Sequence, residues 1–238
     1  PNIARMIASI GEYIYSQGDN SAYVHLYVQG EATINLAGKS VKLQQITNYP
    51  WEGNVKLKLS VEQPMSFSLH LRIPDWCESY QVELNSQDIT GRNAVNNGYL
   101  VIEREWNNDD IIELTLDMPV RYVIAHPEVH QMAGRVALMR GPIVYCLEGV
   151  DHGQTKLDDI IVRSDVSAES LFTPEYKPEL LGGVVVLHGN AVTSVEQNWD
   201  KALYQTVKLD KPLAVTAIPY YTWDNREPGE MRVWLRTV

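Results

Sequence analysis

Hydrophobic residues in this chain alternate with polar ones along most of its length, and only at the front do they recur at helical spacing. In residues 1–10 (PNIARMIASI), Ile3, Met6, Ile7 and Ile10 follow at three- and four-residue steps, which predicts one amphipathic helix. Arg5 and Ser9 fall on its other side. Pro1 suits a first helical turn, where its missing N–H costs nothing, and Gly11 suits a stop. A helix this short is marginal alone because nucleation is costly, so its stripe needs a surface, either the region that follows or helices before Pro1. After it the period becomes two. In 66–73 (SFSLHLRI), Phe67, Leu69, Leu71 and Ile73 share one face and Ser66, Ser68, His70 and Arg72 the other. Residues 55–61 (VKLKLSV) alternate likewise. In 22–28 (AYVHLYV), Ala22, Val24, Leu26 and Val28 face one way and Tyr23, His25 and Tyr27 the other, an aromatic face that implies partial cover. Further strands are predicted at 111–116, 136–139, 143–147, 184–187 and 231–235.

Turn signals separate these segments: Gln29-Gly30, Ala37-Gly38, Glu52-Gly53-Asn54, Asn96-Asn97-Gly98, 107–110 and Gly182-Gly183. Many short strands so punctuated predict antiparallel sandwiches. A boundary is expected within 118–127 (MPVRYVIAHP), an irregular zone at 151–178, and one helical turn near 168–172. After Pro228-Gly229, residues 230–235 read as a closing strand able to complete either sandwich.

Composition narrows the classes. With 238 residues there is room for one or two domains with proper cores. A net charge of −10 argues against a nucleic-acid or anionic-membrane surface, since both need clustered Lys and Arg. No apolar run approaches the roughly 18 residues that span a bilayer. Cys77 and Cys146, two thiols in a long chain, read better as buried core residues than as a disulfide or a nucleophile.

Candidate chemistry is sparse. His126 and His130 (HPEVH) have the i, i+4 spacing of a metal pair, but Pro127 interrupts a helix and no third ligand is near, so ordinary loop histidines are favoured. Asp109-Asp110 and Asp158-Asp159 could supply a glycosidase carboxylate pair, yet read more simply as turn residues. Six Trp and 13 Tyr against 2 Phe favour surfaces that are dry on one side and wet on the other. The run Tyr220-Tyr221-Thr222-Trp223 could stack against a sugar or pack one domain on another, the second being favoured. There is no phosphate loop, no GxSxG elbow and no CxxC pair.

Longer motifs carry a resemblance. PNIARMIASIGEYIYSQ, TNYPWEGNVKL, LRIPDWC, AGRVALMRGPIVYCLE, ELLGGVVVL and AIPYYTWDNREPGEMRVWL, in that order, resemble the C-terminal part of glycoside hydrolase family 127, the enzymes similar to bacterial β-L-arabinofuranosidase. The resemblance implies a mainly β fragment, two antiparallel β-sandwich domains preceded by one helix left from an (α/α)6 catalytic barrel. On it, 1–14 is the last barrel helix, 15–119 plus 224–238 form the first sandwich, and 120–223 form a second sandwich inserted into the first. The family's nucleophile is one of two adjacent cysteines just before this helix, both in a zinc site with a Glu and another Cys, and the acid/base is an upstream Glu. Cys77 and Cys146 match none of these, so no catalytic, cofactor-binding or metal role is assigned to any residue here. Zinc is implied only for the full-length parent. The implied partners are the chain's own N-terminal barrel, an arabinose-containing glycan of the parent and, in some assemblies, a second copy. The implied setting is a bacterial soluble protein, cytoplasmic or secreted. The alternative function is a carbohydrate-binding module with 220–223 as its aromatic platform.

Overall fold

The computed structural model describes residues 2–92, 94–194, 203, 204, 206 and 209–238; Pro1, the expected first-turn proline, lies outside them. The chain is mainly β and divides into two units, Pro1–Met118 and Pro119–Val238.

The first unit opens with helix α1 (Asn2–Ser9), running into a 3-10 turn, Ile10–Tyr13, that takes in Gly11 instead of stopping there. Strands β1 (Tyr15–Gly18), β2 (Ser21–Val24), β3 (Gly30–Leu36), β4 (Lys39–Thr47), β5 (Asn54–Val61) and β6 (Met65–Arg72) follow. Then come β7 (Tyr80–Leu84), β8 (Gln87–Asp88), β9 (Val95–Asn96), β10 (Tyr99–Trp106) and β11 (Ile111–Leu116). They make a five-stranded sheet, β1-β2-β6-β10-β9, and a six-stranded sheet, β3-β4-β5-β11-β7-β8. Pairing is antiparallel except between β2 and β6. The alternation seen in the sequence becomes alternation of burial: Phe67, Leu69 and Leu71 of β6 and Val55, Leu57 and Leu59 of β5 join one shared core. Trp106 is completely buried there, its Nε1–H donating to the Phe67 carbonyl at 3.0 Å. Each such side chain adds roughly 1.5–3 kcal/mol on burial. Ala37 and Gly38 between β3 and β4 both have positive φ (49° and 77°), as a two-residue hairpin turn of primed type requires.

One alternation fails. β2 ends at Val24, so the residues beyond it leave the strand phase. Tyr27, expected on the partly covered face of Tyr23 and His25, is buried, and its hydroxyl donates to the Arg72 carbonyl at 2.6 Å, whereas Val28, expected on the opposite face with Val24, is exposed.

The second unit contains β12 (Val120–Val123), β13 (Arg135–Arg140), β14 (Ile143–Glu148), β15 (Ile160–Val162), a short helix α2 (Ala168–Leu171) and β16 (Phe172–Lys177). It ends with β17 (Val184–Ser194), β18 (Leu209–Pro219), β19 (Met231–Arg232) and β20 (Trp234–Thr237). Where the sequence predicts a second pair of stacked sheets, hydrogen bonding joins nine strands into one sheet, β12-β13-β20-β15-β17-β18-β14-β19, with β16 on β17. The tight hairpin β13–β14 (Met139↔Val144, Arg140↔Ile143) closes that path on itself. The core of this unit gathers Val136, Leu138, Tyr145, Leu147, Phe172 and Leu187.

The chain end requires a correction. The expected closing strand of the first sandwich belongs to the second unit: β19 pairs with β14, and β20 lies antiparallel to β13 and parallel to β15. Leu235 is buried in the second unit's core, which is what holds the end there. Residues 224–238 therefore do not return to the first unit, and 120–223 is not an insertion; the two units are consecutive in the chain.

Candidate functional surfaces

Most of the candidate reactive groups are committed to structure. Cys146 is buried in β14, and loss of hydration pushes its thiol up to about 12, so it stays protonated at neutral pH. Cys77 is buried in the first unit, and its Sγ–H donates to the Ser79 carbonyl at 3.0 Å. His126 and His130 are exposed, with His126 in a loop and His130 opening a 3-10 turn, so no helical turn aligns them. Among the described residues no group of three or more His, Cys, Asp or Glu gathers as a metal site would.

The two acid pairs serve turns and ion pairs. Asp110 is buried and accepts from the Asn85 amide at 2.7 Å and the Asn107 backbone N–H at 2.9 Å. Asp109 pairs with Lys58 at 2.7 Å. Asp158 receives two bonds from Arg232 (2.9 and 2.8 Å), which hold its carboxyl below the usual range.

A third grouping, Glu148, Asp151 and Arg226, was not legible beforehand because Arg226 lies 75 and 78 positions from its partners. Arg226 donates from Nε and Nη2 to Glu148 Oε2, and from Nη1 and Nη2 to Asp151 at 2.8 and 2.6 Å. Glu148 Oε1 accepts the Asp224 backbone N–H at 3.0 Å. The Thr222 hydroxyl donates to the Pro219 carbonyl, and the Asn225 amide donates to the carbonyls of Thr222 and Trp223. These bonds fix segment 219–226 on the end of β18. On that segment Tyr220 and Trp223 lie nearly parallel, 16° apart with centroids 6.2 Å apart, and Tyr220, Tyr221 and Trp223 are all exposed.

In the first unit the outer face of the five-stranded sheet carries a tyrosine–histidine cluster. Tyr23 of β2 is paired in register with His70 of β6, and their rings stack at 4.1 Å. His25 bridges the Tyr99 hydroxyl and the Ser16 hydroxyl, each at 2.7 Å. Burial lowers the pKa of both histidines below the ordinary 6.5, with Arg72 adding to the effect on His25. Both imidazoles are therefore mainly neutral at pH 7.

Fold and sheet topology together define a mainly β chain of two consecutive units. The model of the glycoside hydrolase family 127 middle domain of β-L-arabinofuranosidase matches residues 21–118, and that of the family's C-terminal domain matches 120–236. The chain belongs to glycoside hydrolase family 127. It is 34% identical to a non-reducing end β-L-arabinofuranosidase of Bifidobacterium longum subsp. longum, over 99% of this chain and 36% of that protein. Among solved structures it resembles Ara127N-Se, a GH127 β-L-arabinofuranosidase from Geobacillus stearothermophilus T6, with TM-score 0.92 and 42% identity over 100% of this chain and 37% of that one. A GH127 β-arabinofuranosidase matches at TM-score 0.85 and 34% identity, over 100% of this chain and 38% of that one. The chain thus spans little more than a third of the length of these relatives. No helix among its described residues is long and apolar enough to cross a membrane.

Proposed function

We propose that this chain is the non-catalytic β portion of a longer glycoside hydrolase resembling β-L-arabinofuranosidase, and that it supports a helical catalytic barrel formed by other residues of that protein. The observation that carries this reading is helix α1. Its apolar stripe, Ile3, Met6 and Ile7, is 59–71% exposed, and the helix buries none of its residues. An eight-residue helix with its apolar face in water has little to stabilise it. Packed as one wall of a helical barrel, the same stripe is covered. For zinc, which the family resemblance implies for the parent, no three His, Cys, Asp or Glu gather among the described residues: Cys146 is a buried, protonated thiol, and the Cys77 Sγ–H is given to a backbone carbonyl. The nucleophile and metal ligands then belong outside this chain. Incubated with aryl and oligomeric β-L-arabinofuranosides, the 238-residue chain is expected to show no turnover and to retain no stoichiometric zinc after gel filtration. Zinc-dependent hydrolysis by this chain would overturn the proposal.

A second reading rests on the near-parallel exposed rings of Tyr220 and Trp223, held on a braced segment as a sugar-stacking platform would be. Calorimetric titration with arabinose-containing oligosaccharides tests it. Binding that survives Trp223→Ala removes this assignment.

A further inference from the structure

The two outer faces of the first unit are built from different chemistry. On the six-stranded sheet the outward positions carry Lys42, Lys56 and Lys58, paired with Glu31 (3.0 Å), Glu113 (2.9 Å) and Asp109 (2.7 Å). That is how a sheet face meets water. The outward positions of the five-stranded sheet change character along the strands. Ser66, Ser68, Glu103 and Glu105 occupy one end, whereas Tyr23, His70, Arg72, Tyr99 and Val101 occupy the other, Arg72 in register with Tyr99.

The aromatic end is also where α1 joins the sheet. After the 3-10 turn, the Ile14 carbonyl accepts the His25 amide at 2.8 Å, and β1 then pairs alongside β2 with Ser16 opposite Tyr23. His25 is bonded at both ring nitrogens within the cluster, and burial favours its neutral form, as it does that of His70. The patch therefore presents large rings and satisfied polar tips beside the Arg72 guanidinium, and aromatic residues with Arg are the types enriched at interfaces. It is continuous through Ile14 with a helix whose apolar stripe is uncovered.

Resting on the reading of this chain as part of a longer hydrolase, we propose that the Tyr23–His25–His70–Tyr99 end of the five-stranded sheet is the seat of the domain that precedes the middle domain in this family. Three observations select that occupant. The model matching 21–118 is that of a middle domain, so family members carry a domain ahead of it. More than 60% of the length of each relative lies outside the match. The patch lies where the chain enters residue 21 from α1, the side on which a preceding domain must arrive.

Carbethoxylation of histidine by diethylpyrocarbonate, read by peptide mass spectrometry, tests the proposal in this chain and in a longer form that includes the preceding domain. The His70 rate is expected to fall at least tenfold in the longer protein. Equal rates in the two forms would overturn the assignment. A second measurement uses His70→Glu, a change at a partly buried position on the outer face. It is expected to leave the thermal midpoint of the 238-residue chain within about 2 °C of its parent, as surface changes do, and to lower that of the longer protein by several degrees. An unchanged midpoint in the longer protein counts against docking on this face. Neither readout is catalytic. An active 238-residue chain would remove the proposed function while leaving His70 protection intact, and an exposed His70 in an inactive chain would remove only the docking assignment.

Discussion

Removing the Arg226 guanidinium should cost the second unit about 3 kcal/mol, far more than its place in a turn-rich segment suggests. In Arg226→Met the apolar stem keeps its length while four charge-assisted hydrogen bonds disappear, two to Glu148 Oε2 and two to Asp151. The Glu148 side chain is 8% exposed and that of Asp151 19%. Glu148 then keeps its bond from the Asp224 N–H but loses its cation in a site that water reaches poorly. Leaving one member of a buried ion pair behind costs roughly 3–5 kcal/mol. The residual hydration of Asp151 places this case at the lower end, about 3 kcal/mol. The urea midpoint of the second unit should then fall by roughly 1–3 M, for a slope of about 1–3 kcal/mol/M. Hydrogen-exchange mass spectrometry as a function of urea assigns the transition through peptides from β14 and β18. The double variant Arg226→Met/Glu148→Gln should recover part of the loss, because the stranded charge is gone. A cost below about 1 kcal/mol, the scale of a surface ion pair, or single-variant costs that simply add in the double variant, would refute the reasoning.

Three further outcomes follow from local geometry. A Cβ on Gly189 would lie 2.2 Å from the ring of buried Phe172, its register partner on β16, so Gly189→Ala should lower stability by about 1–3 kcal/mol in denaturant unfolding; a neutral result would mean that this pair is loosely packed. Cys146, with its thiol pushed up to about 12, should resist iodoacetamide in the native chain at pH 8 and be labelled only on unfolding, so rapid native labelling would contradict its burial. His25 and His70 have lowered pKa values in the folded state, so the unfolded chain takes up their protons first on acidification; the stability they contribute is present above pH 6.5 and is lost as pH falls through their folded values. The denaturant midpoint should therefore drop between pH 7.5 and 5.5, above the window near pH 4 where Asp158, Asp165 and Glu175 begin to protonate, and His25→Gln/His70→Gln should lessen that drop.

What was legible in the sequence was local. The helical spacing of Ile3, Met6 and Ile7, the strict alternation through 66–73 and 55–61, and the turns at Ala37-Gly38 and Asn97-Gly98 each depend on neighbours a few positions apart. The boundary expected within 118–127 also lies at Met118, where the chain passes from one core to the next. What escaped depended on distant partners. Residues 230–235 read as one strand, but the chain makes two short strands there, and their placement was set by vacant edges of β13, β14 and β15 that no local pattern announces. The Arg226 clasp escaped for the same reason. The aromatic outer face was visible at Tyr23 and His25, yet its other half, His70 and Tyr99, arrives from strands that reach it only through sheet pairing.

The aromatic composition gains a physical meaning from these placements. Both phenylalanines, Phe67 and Phe172, are about 1% exposed, each inside one unit's core. The tyrosines divide. Tyr27 and Tyr145 are buried, while Tyr23, Tyr99, Tyr220 and Tyr221 lie on outer surfaces. A chain needing aromatic rings only for its own core has little reason to prefer Tyr over Phe thirteen to two, because each buried hydroxyl demands a partner. At an outer face the balance reverses. A ring with a polar tip tolerates water before a partner domain arrives and still supplies apolar area afterwards, and at Tyr99 the tip is already bonded to His25. The Tyr excess is thus what the proposed docking on the five-stranded sheet would require, whereas the six-stranded sheet carries paired lysines suited to water.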